Sequence, residues 1–281
     1  MGGISTALDF IGFGRHDACS RWIGGEYWHA ARTPDGPGSI RLHPSITTFG
    51  PGGDWLASKA DGMLGRHDDV SGFKPTHPLV KRLAHEHQDL RLPGTHQVFV
   101  RLLRNVCEQK VTGKEAYRSY SAIVRRFGEK APGGTDLLLP PDPARIAATP
   151  YYEFHPLGME QKRADALRRA AFEAPRLERC GSSEQLSKRL QSIPGIGVWT
   201  AAEVVRVVFG DPDAVSVGDY HMKNIVSWAL AGEPRGTDER MLELLEPFAG
   251  HRGRVCVLLE AGGIGAPRFG PRMPLRSFKT W

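Results

Sequence analysis

Apolar positions in the first 85 residues come in short runs broken by glycine and turn residues. Glu26–Arg32 and Ser39–His43 partly alternate apolar and polar residues, and Thr33–Gly38 between them holds two prolines and two glycines. That pattern predicts two strands joined by a turn. Pro51–Gly53 is a further break, Asp54–Leu64 predicts a short helix, and His67–Gly72 reads as polar loop. From Glu86 onward the period lengthens to that of a helix. Val98–Val106 places Phe99, Leu102, Leu103 and Val106 on one face, and Ala116–Phe127 repeats the spacing before Gly128. Glu160–Phe172 is a basic amphipathic helix, and Ser182 is an N-cap candidate for a helix ending near Leu190. Further helices are expected at Trp199–Phe209, His221–Leu230, Thr237–Phe248 and Arg252–Leu259.

The resulting fold class is α+β, in three segments. An N-terminal α+β domain with an antiparallel sheet covers 1–85, a helical core covers 86–260, and a Gly/Pro/Arg tail covers 261–281. A length of 281 residues fits one large domain or two ordinary ones. With 40% hydrophobic and 24% charged residues the chain can bury a real core. No run approaches the ~18 apolar residues of a membrane span, and Met1–Phe10 lacks the marks of a signal peptide. Cys19, Cys107, Cys180 and Cys256 are far apart with no CxxC, which argues for reduced thiols in a cytoplasmic protein, not a zinc ribbon or iron–sulfur site. His85-Glu-His87 lacks further ligands nearby and reads as solvated, so no metal site is expected.

Charge changes this picture little. Lys and Arg number 37 against 31 Asp and Glu, for a formal charge of +6, and the isoelectric point is near 9.2. A basic chain suits a polyanion. Most of the surplus, however, sits in the tail, at Arg268, Arg272, Arg276 and Lys279.

The segment with the most chemical content is Leu190-Gln-Ser-Ile-Pro-Gly-Ile-Gly-Val-Trp-Thr-Ala-Ala202. One helix ends near Leu190, a tight turn forms at Pro194, Gly195 and Gly197, and a second helix starts near Val198. Without Cβ atoms the two glycines allow a phosphate close to the backbone. The unpaired N–H groups at the start of the second helix point at it, aided by the helix dipole. This is a helix-hairpin-helix within 182–210, a device that grips DNA backbone without reading sequence.

Further motifs follow in register. Asp213-Ala and Asp219-Tyr lie downstream of the hairpin; Asp89-Leu-Arg-Leu-Pro-Gly94, Glu108-Gln-Lys-Val-Thr112 and Leu157–Leu167 lie upstream. Together they resemble the helix-hairpin-helix superfamily of DNA glycosylases, and most closely the AlkA-type 3-methyladenine DNA glycosylase II group, over about residues 85–260. The resemblance implies two helical lobes around a cleft, with a smaller N-terminal α+β domain. Asp219 takes the family's catalytic aspartate position, and it also suits an N-cap for Tyr220–Leu230; the two uses are compatible. A carboxylate there would stabilise the positive sugar formed as the glycosidic bond breaks.

Where some members carry a Schiff-base lysine this chain has Trp199, so the resemblance implies a monofunctional enzyme that leaves an abasic site. Expected contacts to the DNA backbone are Gly195, Ile196, Gly197, Val198, Thr200 and Lys110. Trp199, Tyr220, Gln109 and His221 are the expected base pocket, with Trp228 and Phe154 as further aromatic candidates. Lys110 stands where the family often has an apolar wedge, and a lysine fills a base stack poorly. Asp211 and Asp213, flanking Pro212, read as turn residues. No cofactor is required, although a monovalent cation at the hairpin backbone is implied. The implied partner is duplex DNA carrying a damaged base, most naturally an alkylated purine, bound by a monomer with no membrane involvement. An oxidised or deaminated base, or DNA binding without catalysis, are the alternatives.

Overall fold

The computed structural model describes residues 2–267, so Arg268, Arg272, Arg276 and Lys279 of the basic tail lie outside the described residues. Four strands, β1 (Ser20–Ile23), β2 (Glu26–Thr33), β3 (Gly36–His43) and β4 (Thr47–Phe49), form an antiparallel meander. On one face Tyr27, Ala31 and Ile40 pack with Leu8 of helix α1 (Gly2–Ile11) and with Leu56 and Met63 of α2 (Gly53–Met63). On the other, Trp28 and Ala30 meet Ala131, Leu137 and Leu139 around the short pair β5 (Glu129–Lys130) and β6 (Leu138–Leu139). Both faces of β2 are therefore covered, which explains why its alternation is only partial. The strands run closer to the turn than the sequence pattern suggests, with β3 starting at Gly36, and Gly38 packs tightly on α2, where a Cβ would sit 2.9 Å from Leu56 Cδ1.

The remaining helices are α3 (Pro78–Glu86), α4 (Val98–Glu108), α5 (Gly113–Phe127), α6 (Pro143–Ala148), α7 (Tyr151–Phe154), α8 (Gln161–Leu177), α9 (Ser183–Gln191), α10 (Val198–Val208), α11 (Met222–Ala231), α12 (Asp238–Leu245) and α13 (Arg252–Ala261). They bury two separate cores. One joins α4, α5, α8, α9 and α10 through residues such as Leu103, Ile123, Leu167, Leu190 and Val204. The other joins α3, α11, α12 and α13 through Leu83, Val226, Met241 and Leu258. The chain is thus mostly helical, two lobes beside an N-terminal antiparallel sheet. Val80 and Leu83 of α3 are buried in the second lobe, so a helix from the first 85 residues belongs by packing to the far end of the chain. Arg254 of α13 pairs with Asp68 in the same region, with both side chains almost wholly buried.

Several boundaries are set by caps. Thr112 and Glu115 form a reciprocal capping box that starts α5 earlier than its apolar spacing shows. The Glu178 carboxylate caps α4 from outside, accepting from Val98 N at 3.0 Å and Phe99 N at 2.8 Å. Helix α8 runs on past Phe172, with Pro175 inside its last turns, because Ala174 and Leu177 are buried in the first core. The sheet is tied to the helices by buried His29, which bonds Ser20 Oγ at 2.6 Å and Gln97 Oε1 at 3.0 Å. Burial lowers its pKa to about 4, so it stays neutral.

Candidate active site

The hairpin is α9, a six-residue turn and α10. Ser182 caps α9 by accepting from Gln185 N at 3.2 Å. Ile193 and Ile196 point into the first core, 5% and 4% exposed, and fasten the turn from below. The turn closes through Ile193 N to Leu190 O (3.0 Å) and Ile196 N to Ile193 O (2.9 Å). The Ile196 N–H is therefore spent within the turn and is not open to a phosphate, contrary to the expectation for that residue.

The two glycines differ. Gly195 has φ +97°, and a Cβ there would come within 2.7 Å of Ala166 Cβ on α8. Its lack of a side chain is already explained by the fold. Gly197 has φ −101° and open space where a Cβ would be. Nothing inside the protein asks for glycine there. Val198, exposed, and half-buried Trp199 follow at the start of α10, where N–H groups lack helical acceptors.

Gln109, at the end of α4, does not face a pocket. Its Nε2 donates to Gly195 O at 3.0 Å and to Thr200 Oγ1 at 2.9 Å, clasping the α4–α5 turn to the hairpin. Thr200 is 2% exposed with its hydroxyl engaged, so its side chain is not placed to reach a DNA strand. Lys110, next to the clasp, is exposed and left-handed, with φ +55°. Of the turn's carbonyls, Ile193 O accepts from Ile196, Pro194 O from Arg169 and Gly195 O from Gln109. A monovalent cation there would share these three oxygens with the donors they already accept from, using the second lone pair of each.

Asp219 lies between the two lobes. Its Oδ1 accepts from His221 N at 2.7 Å and Met222 N at 2.8 Å, at the start of α11 in the second lobe. Its Oδ2 accepts from Trp199 Nε1 at 3.2 Å, from α10 of the first. Tyr220, 78% exposed, stands beside it with its ring edge-on to His221 at 4.9 Å between centroids. Trp228 is exposed on α11, whereas Phe154 is fully buried against Phe127 and belongs to the core, not to a pocket. Asp211 is a turn residue, accepting from Asp213 N. Asp213 does more: it grips the Arg252 guanidinium and caps α13 through Arg252 N at 2.9 Å.

Behind the aspartate loop is an ionic cluster that sequence reasoning misses. Glu203 of α10 pairs with Arg206 at 2.9 Å and Arg101 at 3.2 Å, and accepts from Ser216 Oγ at 2.5 Å. Arg206 also donates to Ser216 Oγ (2.6 Å) and Ala214 O (3.2 Å), which fixes the path of the chain leading to Asp219. Burial alone would raise the Glu203 pKa, but Arg206 and Arg101 hold it down at about 2. Burial lowers Arg101 to about 9. An acid and a base three residues apart on an otherwise apolar helix are the trace this cluster leaves in the sequence. At the end of α13 Glu260 still reaches solvent, yet the protein atoms crowding its carboxyl raise it to about 7, with Glu203 and Asp219 adding to the rise and Arg206 opposing it.

A glycine-bearing hairpin on one lobe, joined through Trp199 to a tethered aspartate on the other, is the arrangement of a helix-hairpin-helix protein. Residues 103–249 match the model of the HhH-GPD superfamily base excision DNA repair proteins. The match takes in more than half of the chain, so the protein belongs to that superfamily. It is 35% identical over 124 residues to DNA-3-methyladenine glycosylase 2 of Escherichia coli strain K12, covering 43% of this chain and 44% of that protein. The match thus spans under half the length of the relative. The fold is like that of a 3-methyladenine DNA glycosylase from Archaeoglobus fulgidus, at TM-score 0.73 and 17% identity over 91% of this chain and 92% of the other. It is also like an 8-oxoguanine glycosylase/lyase from Clostridium acetobutylicum, at TM-score 0.66 and 13% identity over 88% and 89%.

Proposed function

We propose that this protein is a monofunctional DNA glycosylase that removes alkylated purines from duplex DNA and leaves an abasic site. The observation that carries the reading is the tethering of Asp219. Two backbone N–H groups and one indole N–H hold its carboxylate fixed where the lobes meet. A nucleotide flipped into that place puts its sugar beside the carboxylate. As the bond from C1′ to the base breaks, positive charge grows on the sugar and the fixed negative charge stabilises it. The same carboxylate orients the attacking water. Gly197 and the first N–H groups of α10 hold the adjacent phosphate, and Lys110 pairs with another. A 3-methylated purine is already cationic and leaves without a general acid, and exposed Tyr220 with the face of Trp199 offers it aromatic surface. No lysine stands at the Trp199 position, so no Schiff base forms and the strand is not nicked.

The test is release of 3-methyladenine or 7-methylguanine from methylated duplex by the purified protein. Release that disappears in Asp219→Asn while duplex binding persists supports the reading. Release of an oxidised or deaminated base instead, or nicking of abasic DNA with a borohydride-trapped adduct, overturns it.

A further inference from the structure

A groove of about 970 Å³ contains none of the residues around Asp219. It runs between α8 and α9, with Ala147 and Ile193 on its walls, and ends at Pro194 of the hairpin turn. Five cations line it: Arg168, Arg169, Arg176, Lys188 and Arg189. Its two acids are already engaged. Asp165 is 3.4 Å from Arg168, and Glu173 is 2.7 Å from Arg176 and 3.6 Å from Arg189. Lys188 has no carboxylate within ion-pair distance among the described residues, and Arg168 Nε is buried with no acceptor. Among these cations stands Phe172, 71% exposed. An apolar ring at the centre of a cationic, concave surface is an uncommon use of an exposed aromatic.

We propose that this groove docks an acidic peptide segment of a partner protein that also carries an apolar side chain. The partner's carboxylates pair with the guanidinium forks and with Lys188, and its apolar side chain covers Phe172. A DNA strand fits less well. From Gln191 back to Gln185 the groove follows α9 away from the turn for about 9 Å at 1.5 Å per residue, and a phosphate backbone makes no use of an exposed phenylalanine. The volume lies at the upper end of the ~300–1,000 Å³ of small-ligand sites, room for several side chains and far more than one phosphate needs. This inference is independent of the catalytic reading, because it uses no residue assigned to that chemistry.

The experiment uses the full chain and a set of fluorescein-labelled nine-residue peptides, rich in aspartate and each carrying one Phe, Trp, Leu or Ile. Controls replace every Asp by Asn, or the apolar residue by Ala. Fluorescence anisotropy is expected to show at least one acidic peptide binding about tenfold or more tighter than both of its controls. Lys188→Glu and Phe172→Ser should each weaken that peptide about fivefold or more, with duplex affinity and melting temperature unchanged. If no acidic peptide outbinds its Asn analogue, the proposal is overturned. It is equally overturned if Lys188→Glu weakens duplex binding and lowers its salt dependence while peptide binding stays as it was, for then the groove is a path for DNA.

Discussion

The indole N–H of Trp199 donates to Asp219 Oδ2 across 3.2 Å, a bond between the first turn of α10 in one lobe and the loop before α11 in the other. Trp199 therefore serves Asp219 directly, besides lacking the amine a lyase would need. Trp199→Phe keeps the ring and deletes the donor. A hydrogen bond to a charged group is worth about 1.5–3 kcal/mol, so kcat for base release should fall by roughly ten- to a hundredfold. KM should hold steady, because the aromatic face remains. Single-turnover kinetics on methylated duplex would show it, and an unchanged kcat would remove Trp199 from this role.

The two hairpin glycines should separate folding from binding. Gly195→Ala forces a side chain onto φ +97° and into Ala166, so it should lose about 1–3 kcal/mol of stability. Gly197→Ala meets nothing inside the protein and should melt like the parent, yet bind every duplex more weakly, whatever the sequence. Thermal melts alongside anisotropy decide the matter. Equal melting losses in both variants would contradict it.

Glu203 is the acid of a buried cluster, and removing one partner strands the others. Glu203→Ala should cost about 3–5 kcal/mol in denaturant unfolding. Its pH signature has a defined sign. The folded pKa, about 2, lies below the ordinary 4.5, so the stabilisation is present above pH 4.5 and is lost as pH falls towards 2. Parent and variant stabilities should therefore converge over that window.

Glu260 titrates in the opposite sense. Its pKa, about 7, lies above the ordinary 4.5, so the folded protein keeps a proton that the unfolded chain gives up. This group's effect is nil below pH 4.5, turns destabilising as pH rises from there to 7, and is constant beyond. Glu260→Gln should melt higher than the parent at pH 8 and level with it at pH 4. Equal differences at both pH values would exclude the shift.

What the sequence makes legible is local. Pro194, Gly195 and Gly197 between two amphipathic helices announce the hairpin, because turn and helix signals need only near neighbours. Asp219 is picked out only by its place after the hairpin, through the resemblance to the glycosylase superfamily. The rest depends on contacts between distant positions. Nothing near Gly195 hints that Ala166 presses on it, or that Gln109 reaches its carbonyl. Arg101 and Glu203 stand about a hundred residues apart before the fold brings them to 3.2 Å. Thr200 has the look of a surface hydroxyl until burial removes it from solvent. Helix α3 is hard to place because the apolar residues that cover it lie on α13, at the other end of the chain.

The clasp made by Gln109 carries a mechanical implication. One amide spans the α4–α5 turn and the hairpin, so exposed Lys110 and the open space at Gly197 form two fixed points of a single gauge. A duplex touching both must match that gauge. Loss of the Gln109 amide would free those two points to move independently of one another.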